Sequence, residues 1–361
     1  MTIFLSILGI LAVAVIILLN HPALGRNPRG ERLARIESSP HYKNGQFVNL
    51  EPTPMMTSDK SKWEIIWENI TQKKPDNIVP QENIPAVKTD FGKLDLSKDA
   101  VVWFGHSSYL LINGGKKFLV DPVLTSSFPA SISMKPFKGT EIYRPDDIPA
   151  IDYLVITHDH YDHLDYHTVK SIRDRVGKVV CPLGVGEHFE YWGYPAEKIV
   201  EMDWDDIYEA DKNLRITCLS ARHFSGRFLK SNPTLWASFI VESQCTVFIG
   251  GDSGYGKHFA EIGKRFPNID LAILEDGQYN ENWRLIHSMP EEIPVEIHEL
   301  GNPTTVPVHN SKFALARHAW DEPIRKIDEA AVQDTTLHII HGIIGQPIEI
   351  AKSEHFGHTS H

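Results

Sequence analysis

Between residues 158 and 163 the chain reads His-Asp-His-Tyr-Asp-His. An apolar run, Asp152–Thr157 (DYLVIT), leads directly into it. The run predicts a buried strand, and two histidines two apart on extended backbone project to the same side. His158 and His160 can therefore grip one ion. Asp162 and His163 follow where the chain turns toward a helix, and they can grip a second ion nearby. Imidazole nitrogen and carboxylate oxygen suit zinc, and also iron or manganese. Two metals a few ångströms apart can share a hydroxide and clamp both the attacking and the leaving oxygen. A polar surface loop is the trivial alternative, and the apolar strand feeding the motif argues against it.

A two-metal site needs more ligands, and they should also lie at strand ends. His223 follows the predicted strand Leu214–Ser220, Asp252 follows Thr246–Gly250 within GGDSG, and His309 follows Thr304–Val308. Each alone is weak evidence. Three in succession after predicted strands are harder to dismiss.

THDHYDHLD, SARH, GGDSG and PVH together resemble the metallo-β-lactamase fold of hydrolases, over most of Ala100 to about Ile350. GHSSYLLINGGKKFLVDPVL and WRLIHSMPEE are similar to one branch of it. That branch includes N-acylphosphatidylethanolamine-hydrolysing phospholipase D and its bacterial relatives; ascorbate-lactonase-like proteins are more distant. The resemblance implies an α+β fold, a four-layer αββα sandwich with the site at one edge of the two sheets. It implies two Zn2+ ions, with iron or manganese as alternatives. His158, His160 and His223 would hold one, Asp162, His163 and His309 the other, and Asp252 would bridge them beside a water or hydroxide. That hydroxide would attack a phosphodiester, that of a phospholipid. Asp162 has a second implied role, orienting the hydroxide. His287 aligns with a family histidine near the active site and would protonate the leaving group; a loop histidine bonded to backbone is the alternative. His106 is expected just behind the ligands, and Asp121 in a turn beneath them. Arg222 and Arg227 flank His223 and could receive a phosphate.

The elements that must position these residues follow from the pattern. Val101–Phe104, Tyr109–Ile112 and Lys117–Asp121 read as strands, with Asn113-Gly114-Gly115 a hairpin turn. Lys178–Cys181, Lys198–Met202, Trp236–Glu242 and Asp270–Leu274 continue the series. Helices are expected near Tyr166–Arg175, Lys257–Phe266, Pro290–Leu300 and Pro323–Val332. Strands mixed with helices predict sheets with helices packed outside. The hydrolase domain is placed at residues 96–361.

Residues 21–95 read as a linker and N-terminal extension. Within them Trp63, Ile66, Trp67 and Ile70 recur at helical spacing, as in a helix packed on the main domain. Ile3 to Leu19 carries no charge. As a helix it would span about 25 Å, a little short of the roughly 30 Å hydrocarbon core. No basic residue precedes it and the cleavage match is poor, so residues 1–20 read as an uncleaved single-span membrane-anchor helix. Arg26, Arg29, Arg32 and Arg35 follow, which places the catalytic domain on the cytoplasmic side of the cell membrane. Three separated cysteines agree with that compartment.

Against 36 Lys and Arg stand 47 Asp and Glu, a net charge of −11. With no basic stripe, this disfavours a nucleic-acid partner. The substrate is expected to be a small molecule or a phospholipid. The main rival is a lactonase or another carboxylic-ester or amide hydrolase on the same centre. A rival of another class is a membrane-tethered metal-binding or sensing protein without turnover. The oligomeric state stays open, a homodimer included.

Overall fold

The computed structural model describes residues 16–58, 60–71, 73, 75–126, 128–227 and 230–351, together with Ser6 and Val13. The proposed anchor at residues 1–20 lies largely outside them. Among the described residues no helix is long and apolar enough to cross a membrane.

Two mixed sheets make up the centre. Across the first, the order is Pro347–Glu349, Ala100–Trp103, Tyr109–Asn113, Lys116–Val120, Ile151–Val155, Val176–Pro182 and Ile199–Met202. Across the second it is Thr304–Val308, Leu271–Glu275, Thr246–Ile249, Ser238–Glu242, Leu214–Leu219 and Ile207–Asp211. The hairpin at Gly114 and Gly115 is tight because both adopt positive φ, 60° and 73°.

Alternation along each strand builds the layers. In the first sheet, Val101, Trp103, Leu111 and Phe118 face inward and meet Ile216, Phe239, Val247 and Ile273 of the second. Val102, Leu110 and Leu119 face outward onto Val169, Ile172 and Phe189 of the helical layer. On the opposite side Ile240, Phe248 and Ala272 meet Phe259, Ile262, Ile297 and Ile327. The result is the αββα sandwich. Two edge strands escaped the sequence reading. Ile207–Asp211 alternates between exposed and half-buried residues, so it lacks an apolar run, and Pro347–Glu349 is very short. The helix expected from Pro290 begins at Ile293, because Met289–Glu292 forms a turn closed by the Glu292 carboxylate on the Met289 amide at 2.8 Å.

The stretch after residue 20 is tied down. Ile36 and Phe47 are fully buried in the inter-sheet core, and Ala23 in the outer one. Arg32 donates to Glu201 at 2.6 Å and to Glu187 at 2.7 Å, and Arg26 donates to Glu187 at 2.6 Å. Those two carboxylates are buried and need cationic partners. Arg29 and Arg35 remain exposed. The helix Lys62–Thr71 forms as its periodicity predicts, but Trp63 and Trp67 are 79% and 67% exposed, so the tryptophans do not pack on the main domain.

Candidate metal centre

Strand ends from both sheets converge at one edge. Thr157, just past Ile151–Val155, is held by Asp121, whose Oδ1 accepts from its amide at 2.8 Å and whose Oδ2 accepts from its hydroxyl at 2.6 Å. Asp121 Oδ2 also lies 2.8 Å from His163 Nδ1. The turn residue beneath the site therefore fixes a ring as well as a loop, and leaves His163 Nε2 facing the centre.

All seven expected ligands come together. His158 Nε2 is 2.9 Å from His160 Nδ1, which is 3.3 Å from His223 Nε2. Asp252 Oδ1 lies 3.1 Å from His163 Nε2 and 3.2 Å from His309 Nδ1. Its Oδ2 lies 3.9 Å from His158 Nε2 and 3.8 Å from His223 Nε2. Asp252 thus stands between a His158, His160, His223 group and an Asp162, His163, His309 group. Two atoms each about 2 Å from one ion at a tetrahedral angle sit about 3.3 Å apart. The shorter separations here, 2.9–3.3 Å, lie near that value, while those from Asp252 Oδ2 are longer. The buried His163 Nε2 and Asp252 Oδ1 make no hydrogen bond. Buried polar atoms without partners are costly, and a cation between them would satisfy both.

Most of the protonation states suit the same purpose. His163 is the exception: burial is outweighed there by Asp252, Asp162 and Asp121, which hold it well above the usual imidazole range, so a metal ion would have to displace its proton. Burial holds His158, His223 and His309 well below the usual imidazole range, so their lone pairs are available. Burial opposes ionisation of Asp162 and Asp252, but the surrounding imidazoles, His163 foremost, outweigh it and hold both well below the carboxylate range.

His106 is fully buried, and its Nε2 is 3.0 Å from Asp162 Oδ2, the place behind the ligands expected of it. His287 faces the same cleft. Its Nδ1 contacts a carboxylate, Glu275 Oε2 at 2.9 Å, and not a backbone group. Glu275 escaped the sequence reading. Its signal was available, since it ends the apolar run Leu271–Glu275 just as Asp252 follows one. Burial raises Glu275 to about 7 against the pull of His287.

A pocket of about 250 Å³ opens onto this centre. His160, Asp162, Asp252, His287 and His309 line it together with the apolar Met55, Met56, Phe224, Trp283, Ile286 and Leu315. Neither flanking arginine serves as a phosphate receiver. Arg227 is buried and donates to the carbonyls of Asp159, Leu164 and Ala23 at 2.7–2.8 Å. Arg222 donates to the Tyr255 and Pro52 carbonyls and the Thr53 hydroxyl. Loop carbonyls without a strand partner need donors, and these guanidiniums supply them.

The likenesses to known proteins agree with this geometry. The chain is 40% identical over 319 residues to an uncharacterised protein of Mycobacterium tuberculosis, covering 86% of this chain and 84% of that one. It is 32% identical over 253 residues to the N-acyl-phosphatidylethanolamine-hydrolyzing phospholipase D 1 of Caenorhabditis elegans, covering 64% and 68%. The metallo-beta-lactamase fold protein YhfI from Bacillus subtilis superimposes with a TM-score of 0.50 at 17% identity, covering 70% of this chain and 99% of that one, a likeness of fold. Residues 116–310, which carry every expected ligand, match the family described as the beta-lactamase superfamily domain, and the chain belongs to that superfamily.

Proposed function

We propose that this protein is a dinuclear metal-dependent hydrolase whose substrate is a phosphodiester, that of a phospholipid. The observation that carries the reading is the pocket, lined both by the His/Asp ligand cluster and by apolar side chains. A polar scissile group on an apolar tail fits that lining. The relative named for hydrolysing N-acyl-phosphatidylethanolamine supports the same substrate class.

In this reading His158, His160 and His223 would hold one ion, Asp162, His163 and His309 the other, and Asp252, within reach of both groups, would serve each. The nitrogen and oxygen donors fit zinc, and also iron or manganese. Such ions, when bound, supply a water of lowered pKa and stabilise developing negative charge on oxygen. The protein does the rest. His106 and Asp121 fix Asp162 and His163 in place. His287, charged through Glu275, holds the proton that the departing oxygen needs. Met55, Trp283 and Leu315 dry the mouth and seat an apolar substituent.

The reading is tested by metal analysis of the purified protein together with a screen of N-acylphosphatidylethanolamine, lactone and β-lactam substrates. Two bound metals and phosphodiester cleavage are expected. Opening of lactones with phosphodiesters untouched would move the assignment to a carboxylic-ester hydrolase. Tight metal binding with no turnover would make it a binding protein.

We further read residues 1–20 as a single-span anchor with the catalytic domain on the cytoplasmic side, supported by the uncharged run and the arginines after it. Retention of the full chain in carbonate-washed membranes, with the domain protected from protease added outside, is the expected result.

A further inference from the structure

We propose that Asn49, which precedes the family domain, is a positioning residue for His223. The inference rests on the reading of His223 as a metal ligand. His223 lies in an irregular stretch with no strand on either side to hold its main chain. Asn49 replaces that missing neighbour. Its Oδ1 accepts from the His223 amide at 3.1 Å, and its Nδ2 donates to the His223 carbonyl at 2.8 Å. Both main-chain groups of one residue are thereby bonded by a single side-chain amide, like one rung of a β-ladder.

The amide is oriented from behind. Trp236 Nε1 donates to the same Oδ1 at 3.2 Å, and also to the Ala221 carbonyl at 3.0 Å. The segment carrying Asn49 is fixed in turn by Phe47, fully buried, whose amide donates to Asn232 O at 3.0 Å. The His223 ring is held separately. Its Nδ1 donates to the Ile286 carbonyl at 2.8 Å, which sets the tautomer and turns Nε2 toward His160 and Asp252. Ile286 sets the ring and Asn49 sets the backbone from which it projects.

Only an amide supplies donor and acceptor at this spacing. Aspartate keeps the shape and the acceptor but turns an anionic oxygen toward the His223 carbonyl. The extension thus takes part in the metal centre, although the family domain begins at residue 116.

The test uses the full-length metal-loaded protein and the variants Asn49→Asp and Asn49→Ala. Metal affinity is read by competition with a chelator, and ligand geometry by the visible spectrum after cobalt substitution. Both variants are expected to bind at least one metal about 10- to 100-fold more weakly, with an altered cobalt spectrum. A variant that melts earlier yet keeps the wild-type spectrum and chelator competition would show a structural role only and overturn the proposal. Wild-type protein that binds no metal would overturn the metal-centre reading itself, and this inference with it.

Discussion

His287 Nδ1 lies 2.9 Å from Glu275 Oε2, and Glu275 Oε1 accepts from the Ser288 amide at 2.7 Å, so the carboxylate grips both the ring and the turn that carries it. The pairing turns the other ring nitrogen of His287 to the pocket and favours its charged form, burial notwithstanding. His287→Ala is expected to lower kcat by about 100- to 1,000-fold with metal content unchanged. Glu275→Gln keeps the shape but loses the charge, and a fall of about 10-fold or more is expected. Steady-state kinetics with metal analysis checks both. Unchanged kcat in His287→Ala would remove it from proton transfer.

Asp252 reaches both halves of the ligand cluster. Asp252→Ala and His160→Ala should each abolish hydrolysis and reduce bound metal, with Asp252→Ala lowering both sites. Metal-to-protein ratios decide this, and full activity in either variant would sink the ligand assignment.

Met55 and Met56 come from the extension, yet they line the pocket. The double change to alanine should raise KM for substrates with long apolar chains by about 3- to 10-fold, since part of a side chain's burial is lost. Short-chain substrates and kcat should change less. A uniform loss across chain lengths would argue against contact with the chain.

Arg227 holds three carbonyls inside the protein and lies over the Tyr161 ring at 4.2 Å. Arg227→Met leaves those carbonyls without their donor and should cost about 3 kcal/mol or more. Denaturant unfolding measures this. The ratio of KM values for anionic and neutral substrates should stay the same, as befits a structural arginine.

His258 Nε2 sits 3.0 Å from the Ser253 hydroxyl, beside Asp252. Burial, with the charge of Arg222, lowers it to about 3. The unfolded chain protonates this imidazole near its ordinary value of about 6.5. Between those values the unfolded state binds the extra proton, so stability falls as pH falls. His258→Gln should flatten that slope by up to about 1.4 kcal/mol per pH unit. Urea unfolding from pH 7 to pH 4 with a chelator present measures it.

The candidate ligands were legible in the sequence, which marked their positions, while the family resemblance supplied their division between two ions. Histidines at spacing two after an apolar strand, and later His or Asp after further strands, are local patterns tied to backbone period, so they survive without coordinates. Most strands of the two sheets were legible for the same reason, whereas the sandwich itself was implied by the family resemblance and not by the strand pattern. What belongs to contacts across long separations was not. Glu275 became a partner of His287 only when the end of the strand Leu271–Glu275 met the loop that carries His287, 12 residues on in sequence. Arg222 and Arg227 looked like phosphate receivers because a sequence shows a charge but not the carbonyls that claim it. The extension read as a linker because its buried apolar residues, Ala23, Ile36, Phe47 and Ile84 among them, are too sparse to form a pattern. Only the tertiary structure, by bringing Asn49 to a loop 174 residues away, decided that this segment reaches the candidate centre.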